Sequence, residues 1–150
     1  MSDKSSRADL VARRGELLAE LFLQELDAEF IARPATDFGY DFFIGFKNPD
    51  DGVNIAAVEL KATEGPVQPR YRVPKQLFRR LANSNIPVLL LVADVKENRL
   101  FYALPSSHEF SDDPDARTVA LGLTEIDEKT KQELRDQLAT SHAVSSAAVH

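Results

Sequence analysis

Val58-Glu59-Leu60-Lys61 sets an acid and an amine two residues apart in a run that is otherwise apolar. On a strand, positions two apart project from one face, so Glu59 and Lys61 stand together while Val58 and Leu60 point the other way. Asp41 opens the preceding extended run, Asp41 to Phe46, and the turn-rich stretch Asn48-Pro49-Asp50-Asp51-Gly52 joins the two runs as a β-hairpin. Two carboxylates at hairpin distance suit Mg²⁺ or Mn²⁺, hard ions that take oxygen ligands, and the backbone carbonyl of Leu60 adds a donor. The Lys61 amine can position or activate a water, or neutralise charge building on a phosphate. The competing reading is a cross-strand charge pair on a solvated face. The odd-numbered face runs Val53, Ile55, Ala57, then Glu59 and Lys61, and reads as buried. Charges set idly on a buried face are costly, which favours chemistry.

The elements that must hold these residues follow from periodicity. Leu10, Val11, Leu17, Leu18, Leu21, Phe22 and Leu26 predict a helix over about Ala8 to Ala28, with one broad apolar stripe. Phe30 to Arg33 is extended and stops at Pro34; the hairpin follows, its second strand running from Val53 to Lys61. A Gly/Pro-containing loop, Glu64 to Val73, leads to a second helix that starts at Pro74 and buries Leu77, Phe78, Leu81 and Ala82. Ile86 to Ala93 is a continuous apolar run, the pattern of a strand covered on both faces. Arg99 to Leu104 is a further strand, and Glu125 to Leu138 a C-terminal helix. The order αβββαββ predicts an α/β sandwich: a central mixed sheet of about five strands flanked by helices. The expected layout is a flexible start over 1–7, a core domain over 8–105, an acidic extension over 106–139 and a disordered tail over 140–150.

The 150 residues are enough for one domain with a proper core, and the absence of cysteine excludes disulfide scaffolds and thiol chemistry. No apolar run reaches membrane-spanning length and the start lacks an apolar signal core, so no membrane partner and a cytoplasmic location are expected. No glycine-rich phosphate loop follows any strand. The net charge of −6 argues against non-specific coating of nucleic acid. Its distribution argues otherwise, because no acid falls between Glu64 and Asp94 while Arg70, Arg72, Lys75, Arg79 and Arg80 do, around Tyr71. In a nuclease these bases would hold the phosphate backbone. Gln76 is a candidate to orient Lys61 or touch a phosphate, and His108 reads as a surface residue.

Gly15-Glu16, Asp37-Phe38-Gly39-Tyr40-Asp41, Val58-Glu59-Leu60-Lys61-Ala62-Thr63, the run from Ile86 to Asp94 and Tyr102 occur in that order. Together they resemble the PD-(D/E)XK nuclease superfamily, similar in spacing to its Holliday-junction-resolvase-like members. More closely, they resemble a family of small bacterial domains of unknown function placed within it. The resemblance spans about residues 10 to 105 and implies a restriction-endonuclease-like fold. It implies that Asp41 and Glu59 bind one or two Mg²⁺ (or Mn²⁺), that Lys61 is the catalytic lysine, and that Glu16, preferred to Glu20, adds an acid from the first helix. Tyr40 stands where the motif has proline, and Asp37 reads as a turn former. The implied activity is phosphodiester hydrolysis in nucleic acid, DNA foremost, in restriction, phage defence or repair. A homodimer and a protein partner docked on the acidic C-terminal segment are compatible with it. The alternatives are a non-catalytic nucleic-acid-binding or assembly module on the same fold, or an effector nuclease that needs an activating partner.

Overall fold

In the computed structural model, which describes residues 3–35, 39–107 and 115–140, apolar periodicity and turn chemistry resolve into three α-helices and eight strands. In chain order they are α1 (Asp3–Glu25), β1 (Phe30–Ala32), β2 (Phe42–Lys47), β3 (Val53–Thr63), β4 (Arg70–Pro74) and α2 (Lys75–Ala82). β5 (Val88–Asp94), β6 (Arg99–Ala103), β7 (Thr118–Gly122), β8 (Thr124–Glu125) and α3 (Glu128–Thr140) complete them. Six strands form one sheet in the order β1-β2-β3-β5-β6-β8, and β4 and β7 pair separately. β3 and β5 are parallel, with α2 in the crossover between them; the other pairs are antiparallel. The chain is thus α/β with a mixed sheet, as expected, and β5 is buried at every residue, as its unbroken apolar run requires.

Strand alternation sorts the side chains to two faces. Phe42, Ile44 and Phe46 of β2, Ala56 and Val58 of β3, and Leu89 and Leu91 of β5 meet Ala19, Phe22, Leu23 and Leu26 of α1 and Leu134 and Leu138 of α3. Gly15 brings α1 down onto β3, since a Cβ there would lie 2.6 Å from the Cβ of Ala62. The opposite face is covered by α2 and the β4–β7 pair, through Val73, Phe78, Val119 and Leu121 on Leu90 and Val92, and Leu81 on Ala57 and Val88.

Several expectations need correction. α1 starts at Asp3, so the segment expected to be flexible is helical from there. Its buried face is narrower than the predicted stripe: Leu10, Leu17 and Leu21 are 69%, 51% and 58% exposed. Sequence shows that a helix has an apolar side but not how much of it the partner covers. The odd face of β3 is not buried throughout; Val53 and Ile55 are 52% and 44% exposed, and burial begins at Ala57, beneath Leu81 of the short helix α2. The loop before α2 contains β4, whose Tyr71 and Val73 face inward. The described part of the extension expected over 106–139 joins the core. β7 pairs with β4, β8 extends the main sheet beside β6, and Leu134 is fully buried in the main core. Asp37, His108, most of the acidic loop and the tail beyond Thr140 lie outside the described residues. Among the described residues no helix is long and apolar enough to cross a membrane.

Candidate active site

The hairpin partners part company at the position that matters. Phe42 pairs with Val58, the Asp41 N–H donates to the Val58 carbonyl at 2.9 Å, and there the β2 ladder stops. β3 continues through Thr63 with β5 on one side only. Backbone groups left at such an edge must find other partners. The Leu60 N–H finds the side chain of Asp41, donating to Oδ2 at 2.8 Å. A strand residue directs its N–H and C=O to the same edge, so the Leu60 carbonyl opens onto this same notch.

Glu59 projects towards α2 and is 8% exposed, one of two buried charged residues among the described residues. The other, Asp94, is occupied at the end of β5, where Oδ1 accepts from the N–H groups of Lys96 and Glu97 at 3.1 and 3.0 Å. Glu59 instead meets side chains from other elements, Asp41 and Arg80. Burial, then a hydrogen bond to Asp41 and the charge on Asp41, push its carboxyl up to about 7; Lys61 and Arg80 pull the other way. The Glu59 carboxyl therefore keeps its proton well above the usual carboxylate range.

Arg80 holds Glu59. Its Nη2 donates to Glu59 Oε2 at 2.6 Å and to the Gly39 carbonyl at 2.8 Å, and its guanidinium lies 5.4 Å from the Tyr40 ring. Gly39 is needed for this approach: its φ is +87°, and a Cβ there would sit 2.8 Å from Arg80 Nη1. Tyr40 is held by a hydrogen bond between its hydroxyl and Ser84, whose Oγ donates to the Arg80 carbonyl at 2.7 Å. Lys61 is half-buried on the same strand face as Glu59 and opens on a cleft of about 580 Å³ shared with Arg7, Ala12, Thr63 and Glu64.

Asp41, Glu59 and the Leu60 carbonyl fit a hard divalent cation: oxygen donors on one notch, with a proton on Glu59 that a cation would replace. Glu16 is not brought to them. α1 packs on the opposite face of the sheet, where the Glu16 carboxylate bonds to Arg33 and lies 3.5 Å from Arg13. Among the described residues no group of three or more His, Cys, Asp or Glu is assembled for a metal.

The remaining candidates occupy the outer layer over the site's face. Arg70 and Arg72 alternate outward on β4, Arg72 donating to Thr118 Oγ1 at 2.8 Å. Gln76 and Arg79 are exposed on α2 and Lys75 is half-buried, its N–H donating to the Arg117 carbonyl at 3.0 Å. That bond sets Arg117 at the start of α2, beside bases from which it is remote in sequence. Arg80 was expected to hold phosphate; it holds Glu59 instead. Ser84 and Arg33 escaped sequence reading, and Tyr40 entered it only as the residue at the motif's proline position, because hydroxyls and a lone arginine carry no periodic signal. Compared with models of protein families, with curated proteins and with solved structures, the chain matches none.

Proposed function

We propose that the chain is a divalent-metal-dependent phosphodiesterase of restriction-endonuclease-like fold acting on nucleic acid, DNA foremost, with Asp41, Glu59 and Lys61 as its centre. The observation that carries this reading is the buried Glu59 carboxyl beside the exposed Asp41 at the unpaired edge of β3, with Lys61 beyond it on the same face. A buried carboxyl pushed up beside a second acid at a sheet edge supports a functional-site reading. Mg²⁺ or Mn²⁺ bound by Asp41, Glu59 and the Leu60 carbonyl supplies Lewis-acid chemistry for an attacking water and the phosphate. Lys61 orients that water for in-line attack and screens the charge that develops on the phosphate. Arg80 holds the Glu59 carboxylate in place, and Arg70, Arg72, Arg79 and Arg117 supply backbone contacts. The test is cleavage of plasmid, linear duplex, single-stranded DNA and RNA in Mg²⁺ or Mn²⁺. Cutting by the wild type that Glu59→Ala and Lys61→Ala both abolish supports the reading; cutting that survives both refutes this site.

One observation favours a second reading, a binding or assembly module or an effector awaiting a partner. Glu59 already has a protein cation in Arg80, and Glu16 is committed to Arg33. Nucleic-acid binding without cutting, unchanged by Glu59→Ala, would select it.

A further inference from the structure

The side of α1 turned away from the sheet carries a second pattern. Leu10, Leu17 and Leu21 are 69%, 51% and 58% exposed, and their spacing places them along one line of the helix, opposite the buried Ala19 and Leu26. Single exposed leucines need no explanation, whereas a stripe of them rimmed by charge marks a contact surface. The rim changes net charge along the helix. Arg7, Arg13 and Arg14 outnumber Asp9 in its first half, and Glu16, Glu20 and Glu25 make its second half acidic, with no base in the last turn.

A helix that is basic at one end and acidic at the other complements a copy of itself laid antiparallel. We infer that α1 is a two-fold interface with a second copy of this chain. In that pairing Leu10 meets Leu21 of the second copy, and Leu17 lies near the axis beside the Arg14 stem. Antiparallel helices bring like flanks together, so Arg7 faces Glu25 and Arg13 faces Glu20, each contact made twice. Arg7 already holds Glu64 and Glu25 lies 3.4 Å from Lys131; these sites are exposed, so the pairing extends existing networks. Glu59 and Arg80 lie on the far side of the sheet from this pairing. The inference is independent of the proposed activity.

The test is the solution mass of the full chain by light scattering across concentrations up to about 100 µM, the range in which a modest interface forms. Wild type should reach the two-chain mass, and Leu17→Lys should remain at one. The paired variants Arg7→Glu/Arg13→Glu and Glu20→Arg/Glu25→Arg should each be monomeric alone, with all rim contacts repulsive. Mixed in equal amounts they should regain the two-chain mass, because every contact then joins opposite charges. Circular dichroism checks that each variant is folded. A wild type that stays monomeric, a dimer indifferent to Leu17→Lys, or a mixture that does not associate would each overturn the inference.

Discussion

The two faces of the six-stranded sheet are built differently. On one, α1 with 23 residues and α3 with 13 lie over a continuous apolar layer running from Phe42 to Leu138. On the other, α2 has only 8 residues, about 12 Å of helix, and with the β4–β7 pair it leaves Phe30, Val53 and Ile55 partly exposed. The first face can seal itself; the second ends in a notch where β2 has stopped and β3 has not. Polar groups survive there because water and charged neighbours are within reach. The comparison teaches that stability resides mainly on one face, which frees the other to hold Glu59, Asp41 and Lys61.

The largest effect should come from breaking the sealed face. Leu134→Ala is expected to cost about 3 kcal/mol of unfolding free energy, read from denaturant midpoints. A loss near zero would restore the C-terminal segment to the status of an appendage. Arg80→Ala, on the open face, should cost about 1–2 kcal/mol at pH 8, where Glu59 is ionised and loses its partner. At pH 5, where Glu59 is protonated, that cost should largely vanish; an equal cost at both values would mean that Arg80 acts only by packing.

A third comparison uses pH alone. The folded-state pKa of Glu59, about 7, lies above its ordinary value of 4.5, so folding holds a proton that the unfolded chain releases. That contribution to stability is complete below pH 4.5 and is lost as pH rises through 7. Subtracting the pH–stability profile of Glu59→Gln from that of the wild type should expose this fall. A flat difference would place Glu59 in an ordinary environment. At pH 8, Mg²⁺ should raise the melting temperature of the wild type but not of Glu59→Gln or Asp41→Asn. The smallest effect on the fold should be that of Arg70→Ala, which leaves the melting temperature unchanged. If its layer contacts nucleic acid, the slope of log affinity against log salt should drop by about 1.

Much of this was legible from local pattern. Asn48 to Gly52 marked a hairpin, and the hairpin with alternation brought Asp41, Glu59 and Lys61 to one neighbourhood. Eight apolar residues from Ile86 to Ala93 marked a covered strand. These inferences depend on periods of two and on turn chemistry, which the chain states within ten residues. What lay outside them was set over long separations. Whether Leu10, Leu17 and Leu21 or Ala19, Leu23 and Leu26 meet the sheet depends on where Gly15 allows α1 to approach Ala62. Glu16 reads as a ligand until α1 packs on the face opposite Glu59, and Arg80 reads as a phosphate contact until α2 turns it onto that carboxylate. β7 and α3 read as polar until their few apolar residues find Val73 and Phe46 in their clusters. The sequence alone therefore determined which residues are neighbours along a strand or a helix. Only the tertiary structure decided which charges meet, because packing, not periodicity, selects the side of each element that faces another.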